Sequence, residues 1–152
     1  MAGIRKICRV GDPVLRQPAM EVQRFNRALH HILEDMACTM YDAKGCGLAA
    51  PQIGISKQIV VVDEGDGRLW EFINPHIVEK EGEADGVEYC LSVPVRGGIV
   101  PRATRIVVEA QDRNGEYFSL EVKDMLARII QHETDHLEGR LFIDIMKEEI
   151  ED

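Results

Sequence analysis

The sequence has no apolar run near the roughly 20 residues that a membrane-spanning helix needs, so no membrane association is expected. It has no Cys-x-x-Cys pair. The four cysteines stand apart at positions 8, 38, 46 and 90, which fits reduced thiols better than a disulfide framework. It lacks an excess of positive charge: 18 Lys and Arg face 27 Asp and Glu, for a net charge of −9. A chain of that balance does not hold nucleic acid through counterion release, and no local basic patch is visible. The first ten residues carry neither an apolar signal core nor a long Arg- and Ser-rich amphipathic stretch, so an intracellular, cytoplasmic protein is expected. Repeats, low-complexity segments and linkers are also missing. A length of 152 residues suits one domain, 1–152, large enough for its own core. Its 45% hydrophobic and 30% charged content is ordinary for a globular chain.

What is present is concentrated in Gln131-His132-Glu133-Thr134-Asp135-His136, which contains His-Glu-x-x-His. On an α-helix, residues four apart share a face, so His132 and His136 can hold one metal ion with Glu133 beside it to handle protons. Asp124 is a candidate N-cap and Gly139 a candidate stop, which gives a helix of about 14 residues, or roughly 21 Å. At helical spacing Met125, Ile129, His132 and His136 form one stripe, and Leu126, Ile130, Glu133 and Leu137 the next. Arg128, Gln131, Asp135 and Glu138 share the opposite face. The ionisable motif residues therefore continue the apolar face, where they should not sit without partners.

The rest of the chain reads as α+β: short antiparallel sheets packed around the central metal-binding helix, about 125–138, with a second helix at about 24–43. That second helix has Phe25, Leu29, Ile32, Leu33, Met36 and Met40 as its buried stripe and ends within 42–45. Strands are expected at 58–62 and 68–73. A mixture of short strands and turns is expected over 76–100. Segments 106–110 and 117–122 flank Asn114-Gly115 as a hairpin, and 141–145 reads as a last strand.

Two histidines leave a hydrolytic metal site one protein ligand short. Four cysteines, His30, His31, His76 and many carboxylates are available. Cys38 reads as a boundary thiol on its helix and Cys8 as core. Cys46 and Cys90 sit in Gly- or Pro-bounded segments where backbone can approach a ligand. Spacing does not choose between those two.

Three segments, taken in order, resemble the motifs of the peptide deformylase family: Gly45-Cys46-Gly47-Leu48-Ala49-Ala50-Pro51-Gln52, Glu88-Tyr89-Cys90-Leu91-Ser92 and the His132–His136 stretch. The likeness runs from Gly11-Asp12-Pro13-Val14-Leu15 to Leu141-Phe142. It implies a metal-dependent hydrolase that removes the formyl group from N-terminal formyl-methionine of nascent polypeptides. It implies Cys90, His132 and His136 as ligands of a divalent metal, iron(II) in the native state, with zinc, nickel or cobalt as replacements. It implies Glu133 as general base and then acid, with Gln52 and the backbone N–H of Leu91 stabilising the oxyanion. A thiolate donates more charge than a third imidazole, so the metal is a weaker Lewis acid and the carboxylate matters more. Apolar surroundings should raise its pKa.

For the substrate, Met125 and Ile129 either wall an apolar methionine pocket, with the stem of Arg128 at its rim, or are simply core. Segment Gly45, Cys46 and Gly47 either pairs with an extended peptide or is only a helix stop and turn. The chain departs from the family at Tyr89, where glycine is usual; an extended backbone with the ring at the groove edge is expected. Arg102 and Glu88 read as a supporting ion pair near Cys90 or as two unrelated charges. The short acidic tail, 147–152, lacks the long basic helix with which many members dock on ribosomes, so ribosome proximity would be transient. Other readings are a zinc peptidase cutting chain interiors, a non-catalytic binder blocked by Tyr89, and a structural metal domain.

The ligand assignment has a direct consequence. Cys90→Ser is expected to lose most bound metal and activity, while Cys46→Ser keeps its metal. Metal analysis of the purified variants checks this, and equal metal in wild type and Cys90→Ser overturns it.

Overall fold

The computed structural model describes residues 3–151. Its first helix, α1 (Arg27–Asp42), starts at Asn26, whose side chain accepts a hydrogen bond from the Leu29 N–H at 3.2 Å. The helix closes with left-handed Lys44 (φ 59°), where Gly45 N–H donates to Met40 O and Lys44 N–H to Tyr41 O. These are the paired bonds of a Schellman stop, with lysine where glycine is more usual.

The chain then makes β1 (Gly47–Ala49), a 3-10 turn (Ala50–Ile53), β2 (Ile59–Val62) and β3 (Trp70–Glu81). Next come β4 (Ala84–Cys90), β5 (Val93–Arg102), β6 (Arg105–Gln111) and β7 (Tyr117–Lys123). Helix α2 (Asp124–Leu137), a 3-10 turn (Phe142–Asp144) and β8 (Glu148–Glu151) complete it. One antiparallel sheet runs β1-β2-β3-β6-β7 and a second runs β4-β5-β8.

The five-stranded sheet lies between the helices. Val60 and Val62 face α2 among Phe72, Ile106, Val108, Ala127 and Ile130. Ile59 and Val61 face α1 among Leu29, Leu33, Met36 and Met40. A strand buried on both faces has no polar side, hence the unbroken Ile-Val-Val-Val. Val93, Val100, Leu141 and Phe142 form a smaller separate core beneath the three-stranded sheet. No helix among the described residues is long and apolar enough to cross a membrane.

Several expectations need correction. Segment 76–100 holds the outer half of a long β3 and the long hairpin β4–β5, not short strands. Asn74 (φ 53°) breaks the alternation of β3 at a bulge; its side chain bonds both Val22 backbone groups and Gln111. Segment 141–145 is a 3-10 turn, tied by Asp144 to the Leu141 N–H and to Arg16. The final strand is the acidic tail itself, where Glu149 pairs with Arg96. Asp124 is the first residue of α2, at φ 55°, rather than its cap. Gly139 (φ 78°) does end that helix, with Arg140 N–H donating to Asp135 O.

In the β4–β5 turn, Cys90 lies opposite Val93 and Tyr89 opposite Gly97, so residues 94–96 bulge outward. Val95 there is 80% exposed with φ 55°, a left-handed conformation that a β-branched residue adopts only under strain. Val95→Gly is expected to stabilise the protein by about 1 kcal/mol, which raises Tm by about 2–4 °C at this chain length. Thermal unfolding checks it; an unchanged or lower Tm contradicts the strain.

Candidate metal centre

Helix α2 carries two histidines one turn apart, both buried because this face packs inward. Strand β4 brings Cys90 to them across the boundary between the two sheets. The ligand atoms of Cys90, His132 and His136 all lie within 4.8 Å of one another. Cys90 Sγ is 3.4 Å from His136 Nε2. Among the described residues this is the one group of three His, Cys, Asp or Glu side chains so arranged. His30 instead contacts Arg113 O, His31 pairs with Asp35, and His76 is exposed. Cys8 and Cys38 are half-buried elsewhere. Cys46 is exposed in the same cleft. Partial desolvation of its thiol by the cleft walls, and then Glu133, push its pKa up, which keeps it protonated.

His132 Nδ1 lies 2.7 Å from Glu88 Oε1, which turns Nε2 toward the cluster. Glu88 is itself held by Arg102, whose Nε and Nη2 donate to its two oxygens at 2.9 Å each, and by Arg128 Nη1 at 2.7 Å. Burial disfavours the charge on Glu88, but the bonds from Arg102 and His132 outweigh it and bring the pKa down to about 2. Burial also opposes a charge on His132, yet Cys90, Glu88 and Glu133 hold its pKa well above the usual value. A cation must displace that proton on binding. His136 is pushed well below its usual value by burial and then by His132, so it is neutral, as a ligand must be.

The donor set, two imidazoles and a thiolate with a fourth side open, fits a divalent transition metal. So does a second observation. Glu133 is buried with Oε1 lacking any partner, 4.0 Å from His136 Nε2. A carboxylate oxygen shut away without a donor is costly unless a proton or water meets it there. Burial is the main cause that lifts the Glu133 pKa to about 7.

Gln52 stands in the last turn of the 3-10 segment. Its Oε1 accepts from Ala49 N–H at 2.9 Å and its Nε2 donates to Ser92 Oγ at 3.1 Å. The other Nε2 hydrogen has only Cys90 Sγ at 3.6 Å. Gly47 lets β1 lie against Glu133: a Cβ there would meet Glu133 Oε2 at 2.6 Å and Ile129 Cγ2 at 2.9 Å.

A cleft of about 660 Å³ opens on these residues. Gly45, Cys46, Gly47, Gln52, Tyr89, Cys90, Leu91, His132 and Glu133 line it. Met125 and Ile129 do not: Met125 is 57% exposed, and Ile129 packs in the core with Val62 and Phe72. Tyr89 has an ordinary extended backbone within β4, and its ring covers Gly97 so closely that a Cβ there would lie 2.5 Å from Cε1.

Three participants escape the sequence. Glu88 reads there only as half of an ion pair. Ser92, which anchors Gln52, stands in a recognised motif but has no role that its type suggests. The far wall, Tyr41 bonded to Asp63 at 2.7 Å, comes from segments with no chemical signature. The polar face of α2 opposite the metal stripe is largely turned toward protein. Gln131 and Asp135 are buried, and Arg128 reaches β4 and β5.

The sequence matches the polypeptide deformylase family over residues 4–151. The peptide deformylase of Heliobacterium modesticaldum is 51% identical over 141 residues, 93% of each chain. The crystal structure of the Thermotoga maritima peptide deformylase superposes with a TM-score of 0.93 at 42% identity, covering 95% of this chain and 99% of that one. The Thermus thermophilus peptide deformylase gives 0.90 at 46% identity, covering 93% and 84%.

The folded pKa of Glu133 lies above its unfolded value, so ionising it costs stability. That cost is absent below pH 4.5, grows as pH rises from 4.5 to about 7, and is complete above. In metal-free protein, the Tm difference between Glu133→Gln and wild type is expected to grow in favour of glutamine across that window. Thermal unfolding of metal-stripped samples at several pH values tests this; a difference independent of pH contradicts it.

Proposed function

This chain belongs to the polypeptide deformylase family, and from that premise we propose that Cys90, His132 and His136 hold its metal and Glu133 moves its proton. The protein is a metal-dependent hydrolase that removes the formyl group from N-terminal formyl-methionine of nascent polypeptides. The buried, unpartnered oxygen of Glu133 beside three convergent donors is the observation that carries the assignment.

When bound, the metal supplies a Lewis acid and lowers the pKa of its water. Glu133 accepts the proton of the attacking water, whose oxygen forms the bond to the formyl carbon. A pKa near the working pH suits both halves of that task. Charge then gathers on the formyl oxygen. Gln52 Nε2–H, whose amide plane Ala49 and Ser92 hold, and the Leu91 N–H beside Cys90 are the donors for it. Glu133 returns the proton to the amine nitrogen as the C–N bond breaks, leaving formate and a free methionyl N-terminus.

The peptide lies extended in the cleft, along the backbone of Gly45, Cys46 and Gly47 on one side and Tyr89 on the other. The native metal is iron(II), for which zinc, nickel or cobalt can substitute. One catalytic domain, 1–152, performs the whole reaction where translation occurs, on nascent peptides and without direct nucleic-acid binding. Exposed Met125 and core-packed Ile129 give little support to a methionine pocket built from that pair.

Glu133→Gln keeps the shape and the ligands but removes the proton acceptor. Turnover of formyl-Met-Ala by protein purified without oxygen is expected to fall at least about a hundredfold, with metal content unchanged. Activity within about threefold of wild type would move the base role elsewhere.

A further inference from the structure

The proposed ligands come from two separately cored units, which meet through one ring contact, His132 stacked on Phe142 with centroids 5.9 Å apart. Helix α2 is cored with the five-stranded sheet, whereas the sheet that carries Cys90 closes its own small cluster. Polar side chains join them, and Arg128 makes three of the bonds. Its Nη1 donates to Glu88 Oε2 at 2.7 Å and Val100 O at 2.9 Å, and its Nη2 donates to Ala84 O at 2.8 Å. One planar guanidinium, on a side chain 14% exposed, thus ties α2 to β4 at two places and to β5 at a third.

Gly86 makes the fit possible. It lies between Ala84 and Glu88 on β4, and a Cβ there would sit 2.7 Å from Arg128 Cζ. Charge alone does not explain the arrangement. Arg102 already pairs with both oxygens of Glu88. What Arg128 adds is the two backbone carbonyls, and these fix distance rather than charge.

Resting on the metal-ligand reading above, we propose that Arg128 is a positioning residue for the metal centre. Its three bonds set the separation of β4 from α2 and hence the place of the Cys90 sulfur relative to both imidazoles. Gly86 is the complementary half of this clamp. Neither residue touches the reacting atoms.

Cobalt(II) reports the sulfur directly, through a thiolate-to-metal charge-transfer band in the near ultraviolet. Arg128→Met keeps the stem and loses all three bonds; Arg128→Lys keeps the charge but cannot reach three acceptors at once. Both are expected to weaken cobalt affinity by about tenfold, to shift or weaken the band at saturating cobalt, and to lower kcat more than KM. Gly86→Ala, which displaces the guanidinium without changing residue 128 itself, should move the same readouts in the same direction, and it carries the test if Arg128→Met does not fold. A cobalt affinity within about twofold of wild type and an unaltered band in the Arg128 variants would overturn the proposal. Full rescue by lysine would overturn it too, in favour of a charge role. Absence of the band from wild-type protein would instead sink the ligand assignment, and this proposal with it.

Discussion

A buried carboxylate, Glu88, organises most of what surrounds it. Glu88 is 4% exposed in its side chain and bonded by Arg102, Arg128 and His132. An ionised group taken out of water costs several kcal/mol unless partners with good geometry replace the solvent. Here the partners come from two elements, Arg102 from β5 and Arg128 and His132 from α2, and meet Glu88 on β4, so three elements converge on one carboxylate. Loss of any one leaves a buried charge short of a partner. That penalty holds the three elements in one relative arrangement. Arg102 extends the same logic by donating to Asp135 Oδ2 at 2.6 Å, one helical turn along from His132.

The scaffold around this knot serves to make α2 a rigid shelf. One flank packs on the five-stranded sheet, and its C-terminus is closed by a left-handed Gly139 that must approach Arg16 closely. Close approach recurs at Gly47, where the missing side chain lets β1 lie on Glu133. Glu133 is therefore buried by backbone as much as by side chains. That burial raises its pKa toward neutrality, while Glu88, buried as deeply but surrounded by donors, is driven the other way. Two glutamates of one chain are set to opposite tasks by their neighbours.

The metal helix is the most legible element. Its 3.6-residue pattern and Gly139 place it at about 125–138, and the helix spans Asp124–Leu137. Helix α1 and the Asn114-Gly115 hairpin are legible for the same reason: short-range periodicity and turn chemistry decide them. Segment 76–100 is not. Its strands are long because their partners are long, and a bulge at Asn74 interrupts the alternation that would reveal β3. Likewise Arg128, Gln131 and Asp135 have the composition of a solvated face. Gln131 is nevertheless buried, bonding both backbone groups of Ala103. A polar side chain looks the same in sequence whether water or a distant carbonyl satisfies it.

The sequence by itself determined that two imidazoles and a carboxylate share one helical face, because covalent geometry makes positions four apart neighbours on any helix. Through its ordered motifs it also determined the family. Cys90 as third ligand and a raised Glu133 pKa are expected from the motif resemblance and the apolar face. Only the tertiary structure decided how closely the Cys90 sulfur approaches the imidazoles with Cys46 outside their cluster, that Ser92 anchors Gln52, and how far burial lifts the Glu133 pKa. Each of these depends on burial and contact between segments tens of residues apart, and no local spacing encodes distances of that kind.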